Sequence, residues 1–230
     1  MSRLLAIGDI HGCSRALDAL LAQVQPTPAD RIVTLGDYID RGPDSRGVLD
    51  RLINLHARFQ VVSLRGNHEL MLFAALRHEE SRQFWLAVGG REALASYGRR
   101  GSKGTLENIP EEHWNFLLRT CVDWYEWDRY FFVHANVDPD LPLDQQPSSM
   151  LHWEFFNVFS LPHCSGKFMV CGHSEQRNGW PLVLPHAACI DTFCYGGGWL
   201  TCLDVLSGRI WQADQQGRHR TASLHDPMPV

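Results

Sequence analysis

The sequence lacks the features that mark secreted or membrane-spanning proteins. Its seven cysteines are scattered and include no C-x-x-C pair, a pattern that favours reduced core thiols in a cytosol over a disulfide framework. No apolar run approaches the length of a transmembrane helix, and the run Leu4–Ile7 near the N-terminus is too short for a signal peptide. We therefore expect a cytoplasmic protein without a membrane partner.

An excess of basic residues is also absent. The 21 lysines and arginines are outnumbered by 26 aspartates and glutamates, which gives a net charge of −5. This balance argues against a nucleic-acid polymer bound by bulk charge. The length of 230 residues and the hydrophobic fraction of 44% suffice for one full core. Because no internal repeat or low-complexity tract divides the chain, we expect a single domain over residues 1–230.

The first third of the chain predicts a strand–helix–strand–helix–strand unit. Short apolar strands are expected at residues 3–7, 31–35 and 59–64, and the segments between them carry leucine and valine at helical spacing. Such a unit forms a parallel sheet, so the fold class is α/β.

The rest of the chain has three parts. Residues 71–129 are predicted to be a helical insertion without a core of its own, introduced by a helix from Leu70, and Trp85 within it is expected to be a packing residue. The second half is rich in short strands separated by turn residues. Residues 217–230 are polar and end in prolines, so we expect an irregular tail.

Polar residues between glycines follow the strands of both halves. Asp9 and His11 lie two apart in an extended segment, so they can chelate one metal ion. Loops at the carboxyl ends of strands are where open α/β sheets place their ligand sites. The set is Asp9, His11, Asp37, Asn67, His134 and His173, with Asp40, Arg41 and His68 beside them.

This set predicts a pair of metal ions. Oxygen and nitrogen ligands without thiolate suit Mn²⁺, Fe or Zn²⁺ better than Ca²⁺. Six ligands are too many for one catalytic ion that keeps an open position, whereas two ions about 3.5–4 Å apart would use them all. Asp37 is the expected bridging carboxylate, because its block lies between the other two of the first half.

The motifs resemble those of a known family. Gly-Asp-Ile-His-Gly, Gly-Asp-Tyr-Ile-Asp-Arg-Gly, Gly-Asn-His-Glu, His-Ala and Gly-His occur in the order found in the PPP-family serine/threonine protein phosphatases. These belong to the calcineurin-like metallophosphoesterases, and the short bacterial and phage-type members are the most similar. The resemblance implies two mixed β-sheets flanked by helices, and a phosphomonoesterase that uses a metal-bridging hydroxide for direct attack at phosphorus.

The resemblance also implies a role for each site residue. Asp40 would orient His68 and keep it cationic, so that His68 protonates the leaving group, and Arg41 would bind the phosphate oxygens. The substrate would be a serine/threonine, and also tyrosine, phosphoprotein or a small phosphoester, with Mn²⁺ as the expected metal. Asp9, His11 and Asp37 would bind the first ion, and Asp37, Asn67, His134 and His173 the second.

The sequence departs from the family pattern in two places. No arginine lies between His134 and His173, where members usually carry a second phosphate-binding arginine. We therefore expect either that phosphate binds more weakly or that Arg99, Arg100 or Arg177 reaches the site in place of the missing arginine. Asn136 replaces the small residue usual after His-Ala, and its side chain is predicted either to narrow the site or to hydrogen-bond the phosphate as a substrate-binding residue.

Two alternatives to a protein phosphatase remain open. The first is a diadenosine polyphosphate hydrolase of the same fold. By the resemblance, such enzymes lack the second aspartate of the Asp-x-x-Asp-Arg block and carry aspartate in place of Glu69, so Asp40 and Glu69 favour the phosphatase. The second is a weakly catalytic, metal-bound interaction module, which only the missing arginine supports.

Overall fold

The computed structural model describes residues 2–98 and 103–224, which form an α/β structure of two mixed β-sheets flanked by helices. The strands are β1 (Leu4–Ile7), β2 (Arg31–Thr34), β3 (Gln60–Ser63), β4 (Trp124–Trp127), β5 (Tyr130–Val133), β6 (Phe168–Cys171), β7 (Leu182–Leu184), β8 (Ala187–Cys189), β9 (Leu200–Asp204), β10 (Arg209–Ala213) and β11 (His219–Ser223). The α-helices are α1 (Ser14–Val24), α2 (Ser45–Arg58), α3 (Asn67–Ala75), α4 (Glu79–Trp85), α5 (Arg91–Tyr97), α6 (Glu111–Asn115) and α7 (Ser148–Trp153).

The first sheet has the strand order β11-β10-β9-β1-β2-β3. Strands β1, β2 and β3 run parallel, which confirms the predicted strand–helix unit, and β9 to β11 extend the sheet in antiparallel register. The expectation of an irregular tail is wrong for residues 219–223. The main chain of β11 pairs with β10 along its whole length, although none of its side chains is buried. Residues 225–230 lie outside the described part.

The second sheet has the order β4-β5-β6-β8-β7, in which β5, β6 and β8 run parallel. Alternate residues of a strand point to opposite faces of its sheet. The apolar residues on one face of the first sheet pack against the second sheet, so the two sheets lie face to face. Leu4 and Ala6 of β1 share a buried cluster with Phe132 and Val170 of the second sheet, whereas Leu5 packs with α1 and α2. Burial of each large apolar side chain contributes about 1.5–3 kcal/mol, so this sandwich holds the carboxyl ends of strands from both sheets side by side.

The helical segment after β3 packs against the first sheet. Trp85 and Phe116 share the buried cluster of α1 and α2. Trp85 is fully buried, so its prediction as a packing residue is confirmed. The segment ends at Thr120 rather than at residue 129, because β4 pairs with β5 and belongs to the second sheet.

Helix α3 begins three residues earlier than predicted. Its first residue is Asn67 rather than Leu70. A carboxylate oxygen of Glu69 accepts a hydrogen bond of 2.8 Å from the backbone N of Gly66, which satisfies one of the backbone donors that a helix start leaves free. Asn67 and His68 therefore lie in the first turn of a helix and not in a loop.

Two further expectations concern helix length and cysteine. Within residues 2–98 and 103–224, no helix combines the length and the apolar character needed to cross a membrane. All seven cysteines lie in these ranges. None forms a disulfide there, and all but Cys164 are buried.

Candidate metal centre and catalytic cleft

The loops that follow β1, β2, β5 and β6, together with the start of α3, meet at one edge of the sandwich. Five of the nine predicted site residues have left-handed φ angles between 44° and 71°. This conformation costs a non-glycine residue of order 1–3 kcal/mol, and its concentration in one place is typical of functional sites. The five are His11, Asp37, Asp40, Arg41 and His173.

Asp37 lies between two groups of potential metal ligands. Its Oδ2 is 3.3 Å from Nε2 of His11, and its Oδ1 is 3.5 Å from Nε2 of His134. His11, Asp37 and His68 each offer a ligand atom within 4.8 Å of the others, and so do Asp37, His134 and His173. Asp37 belongs to both groups, which is the position expected of a bridging carboxylate.

Backbone carbonyls determine which ring nitrogens face Asp37. Nδ1 of His11 is 2.9 Å from the carbonyl oxygen of Ile39, and Nδ1 of His134 is 2.7 Å from that of Leu35. A carbonyl oxygen can only accept, so Nδ1 carries the proton and Nε2 presents a lone pair. Burial lowers the pKa of His134 to about 3, which keeps the ring neutral. Histidines that bind metals have this arrangement, with the outer nitrogen bonded to the protein.

In the second group, His173 offers a ring nitrogen, and Asn67 adds an amide oxygen. Nε2 of His173 is 3.2 Å from the carbonyl oxygen of Trp153, so its Nδ1 is left with a lone pair. The amide oxygen of Asn67 lies 3.1 Å from Nε2 of His134 and within 3.3 Å of Nδ1 of His173 and both carboxylate oxygens of Asp37. A cation among these acceptors favours the orientation in which the Asn67 amide oxygen faces them. Without a cation the reversed orientation is favoured, because the amide NH₂ group then donates to the same acceptors. The residues present therefore fit a metal ion.

Asp9 contributes a carboxylate that the protein satisfies only in part. Its Oδ2 accepts a hydrogen bond of 3.0 Å from the backbone N of His173, whereas its buried Oδ1 has no partner within the described ranges. A Cβ at Gly172 would lie 2.0 Å from this oxygen, so only glycine permits the approach. Burial, together with Asp191 and Asp37, raises the pKa of Asp9 well above its usual value. A divalent cation would satisfy Oδ1 and offset the buried negative charge.

His68, which belongs to the first group, forms a buried pair with Asp40. Nδ1 of His68 is 2.7 Å from Oδ2 of Asp40, and Nε1 of Trp85 donates to both oxygens of Asp40 at 2.8 and 3.0 Å. Burial lowers the pKa of His68 and raises that of Asp40, each well away from its usual value. Both shifts disfavour the charged forms. One proton is therefore shared between Nδ1 of His68 and Oδ2 of Asp40, whichever of the two atoms carries it, and the pair has no net charge.

Arg41 lines an open cleft of about 570 Å³ beside these groups. Its Nη1 donates to Oε1 of Glu175 at 2.8 Å and to the hydroxyl of Tyr195 at 2.9 Å. Glu175 and Tyr195 were not identified from the sequence. The only signal was that Glu175 follows the Gly-His block and that Tyr195 lies in the late glycine-rich segment. Other residues that line the cleft include Asp37, Asn67, Trp153, Phe155, His173, Glu175 and Arg177.

An aromatic side chain, Phe155, lines the cleft in the segment between His134 and His173, where family members usually carry the second phosphate-binding arginine. The ring of Phe155 stacks on His173 with a centroid distance of 5.0 Å. Of the proposed substitutes, Arg177 lines the cleft, whereas Arg99 and Arg100 lie outside the described residues.

The prediction that Asn136 contacts substrate is wrong for this structure. Its Oδ1 accepts a hydrogen bond from the backbone N of Val137 at 2.9 Å, and its Nδ2 donates to the carbonyl oxygen of Phe155 at 3.2 Å and to Ser160 at 3.3 Å. Asn136 is buried, and its amide is fully used by these neighbours. It supports the segment that carries Phe155 instead of facing the cleft.

Comparison with known proteins shows which family the sequence resembles. The family profile described as calcineurin-like phosphoesterase matches residues 2–206. A symmetrical bis(5'-nucleosyl)-tetraphosphatase from Pseudomonas entomophila is 40% identical, with 97% of this chain and 99% of that protein covered. Serine/threonine-protein phosphatase 1 of Salmonella typhimurium is 41% identical over 85 residues, which cover 36% of this chain and 37% of that protein. The chain spans only 25–37% of the length of the first curated relatives that it matches.

Solved structures agree on the fold. A cold-active protein-tyrosine phosphatase of a psychrophilic Shewanella species superposes with a TM-score of 0.63 at 17% identity, with 95% of this chain and 80% of that chain covered. The order of the two sheets and the matched profile point to the same architecture. The chain belongs to the calcineurin-like phosphoesterases, a family of metal-dependent phosphoester hydrolases.

Proposed function

We propose that the protein is a phosphomonoesterase that depends on two metal ions and acts on serine/threonine, and also tyrosine, phosphoproteins. The observation that carries this proposal is the buried His68–Asp40 pair, in which His68 offers a ring nitrogen within 4.8 Å of ligand atoms of His11 and Asp37. A phosphomonoester of serine or threonine has a poor leaving group. A positioned proton donor next to the metal ligands is the device that such a substrate needs.

Two divalent ions, which we propose to be Mn²⁺, would bind on either side of Asp37. Asp9, His11 and Asp37 would hold the first, and Asp37, Asn67, His134 and His173 the second. When bound, such a pair lowers the pKa of a water molecule and stabilises negative charge at phosphorus.

The remaining residues would bind substrate and move a proton. Arg41 would hold the phosphate oxygens at the cleft. His68 would give the proton on Nε2 to the leaving oxygen while Asp40 fixes the ring through Nδ1. Trp85 holds Asp40 in turn, so three buried side chains would set the direction of proton transfer.

A diadenosine polyphosphate hydrolase is the second candidate. The Pseudomonas entomophila relative, which is named for this activity, matches over nearly its whole length. Trp153 and Phe155 line the cleft and offer aromatic faces on which a base can stack. Asp40 and Glu69 favour the monoesterase, by the family pattern described above.

Parallel hydrolysis of three substrates distinguishes the candidates. Metal-stripped protein is assayed with and without Mn²⁺ on p-nitrophenyl phosphate, a phosphoserine/phosphothreonine peptide and diadenosine tetraphosphate. We expect Mn²⁺-dependent release of phosphate from the first two and little cleavage of the dinucleotide to nucleotides such as ADP. Preference for the dinucleotide would favour the second candidate, and no hydrolysis by metal-loaded protein would contradict both.

A further inference from the structure

One edge of the Arg41 guanidinium is already bound by the protein. Nη1 donates to Oε1 of Glu175 at 2.8 Å and to the hydroxyl of Tyr195 at 2.9 Å, and it also lies 3.4 Å from Nε2 of His11. The Tyr195 hydroxyl donates to the same oxygen of Glu175. The guanidinium carbon lies 4.7 Å from the centre of the Tyr195 ring, and that ring meets His11 edge-on at 5.0 Å. Arg41 is thus joined to His11 of the first group both directly and through Tyr195.

The other guanidinium nitrogens remain available. Within residues 2–98 and 103–224, no protein atom accepts a hydrogen bond from Nε or Nη2 of Arg41. An oxyanion binds an arginine through two parallel N–H groups of one edge. Since Nη1 is committed, the edge formed by Nε and Nη2 is the one left for phosphate.

A second arginine balances the charge of Glu175. Oε2 of Glu175 accepts hydrogen bonds from Nη2 of Arg177 at 3.1 Å and from Nε of Arg177 at 3.3 Å. Each oxygen of the carboxylate therefore has its own arginine. Because Arg177 supplies a second positive charge, Glu175 can hold Arg41 without cancelling the attraction of the cleft for a phosphate.

We infer that Glu175 and Tyr195 are positioning residues that hold Arg41 with its Nε–Nη2 edge turned to the phosphate of the substrate. This inference rests on the proposed function and names two residues that the motifs of the family do not include. The opposite arrangement is a Glu175 carboxylate that competes with phosphate for Arg41. The two arrangements predict opposite changes in phosphate affinity when the carboxylate is removed.

The test measures phosphate binding and turnover in Mn²⁺-loaded protein. Glu175→Ala and Tyr195→Phe should each raise the inhibition constant of inorganic phosphate, and the KM for p-nitrophenyl phosphate, about tenfold, the effect of losing about one charged hydrogen bond. Their kcat should change much less. Glu175→Gln keeps an acceptor for Nη1 and should restore most of the affinity. Glu154→Ala, at an exposed carboxylate of the neighbouring loop, is the matched control and should change neither constant.

A double-mutant cycle separates positioning from general damage. Glu175→Ala added to Arg41→Ala should produce no further loss of phosphate affinity, because the two residues act as one unit. Equal losses in both backgrounds, or a fall of the phosphate inhibition constant in either Glu175 variant, would overturn the inference. Calorimetric titration with phosphate reads the same affinity without turnover, so a wild type that binds phosphate but hydrolyses no monoester would contradict the proposed function alone.

Discussion

Asp37 is the residue on which both candidate metal groups depend. Its two oxygens face ring nitrogens of His11 and His134 at 3.3 and 3.5 Å. Gly66 permits this position, since a Cβ there would lie 2.1 Å from Oδ1 of Asp37. One carboxylate thus faces ligands from β1 on one side and from β5 on the other.

Replacement of Asp37 by asparagine should release both ions together, because an amide cannot bridge two cations as a carboxylate does. Elemental analysis after gel filtration should fall from about two equivalents to below one. Asp18→Asn, at a surface ion pair with Arg51, serves as the control and should keep both ions. Two equivalents retained by the Asp37 variant would refute the bridge.

His68→Asn should lower kcat on a phosphoserine peptide by about 10²–10⁴-fold, the usual contribution of general acid catalysis, with the metal content unchanged. The loss on p-nitrophenyl phosphate should be smaller, since nitrophenolate leaves without a proton. Steady-state kinetics on both substrates check this. Equal losses on the two substrates, or none, would contradict the acid assignment.

At the scale of elements, the turn between α1 and β2 is held by an ion pair between the buried Asp30 and the partly exposed Arg3. Oδ2 of Asp30 is 2.6 Å from Nη2 of Arg3, and it also accepts hydrogen bonds from the backbone N and hydroxyl of Thr27. The Asp30 side chain is only 2% exposed. Although burial opposes ionisation, the hydrogen bonds from Arg3 and Thr27 hold the pKa of Asp30 well below its usual value.

A lowered folded-state pKa makes this stabilisation depend on pH. The contribution is fully present above the unfolded-state pKa of about 3.9 and is lost as the pH falls through the lower folded-state value. Asp30→Asn should therefore reduce the free energy of unfolding by about 1.5–3 kcal/mol at pH 7, as for a lost charged hydrogen bond, and by less at each step below pH 4. Urea unfolding across this range measures it. Asp128→Asn, at an exposed pair with Arg129, should show no such trend.

At the scale of the whole molecule, the site joins the two sheets. Its side chains come from the loops after β1 and β2 of the first sheet, from the start of α3, and from the loops after β5 and β6 of the second sheet. The backbone N of His173 donates to Asp9, so a direct hydrogen bond already links the two halves. Ions bound there would bind the folded sandwich and not the unfolded chain.

Mn²⁺ should therefore raise the melting temperature. An ion at about 100 times its dissociation constant adds about 2.7 kcal/mol, which corresponds to a shift of about 5–11 °C for a chain of this length. Differential scanning fluorimetry with and without chelator measures this shift. The Asp37→Asn protein should show a much smaller one, and an equal shift in both proteins would mean that the ions bind elsewhere.

The sequence by itself determined the elements and motifs that depend on neighbours along the chain. Apolar runs and helical spacing predicted the parallel strands β1 to β3, because burial of a regular face follows from local periodicity. Glycine-flanked Asp and His blocks at strand ends predicted residues such as Asp37 and His68, because the ends of parallel strands meet at one edge.

Only the tertiary structure decided the contacts between residues distant in sequence. The bond between Arg41 and Glu175 joins loops 134 positions apart, and β11 exists through main-chain pairing with β10 and not through an apolar pattern. Asn136 is a further example, since its amide NH₂ group donates to the backbone carbonyl of Phe155, which lies 19 positions further along the chain. Hydrogen bonds of this kind depend on where two loops meet in space, which no spacing along the chain encodes.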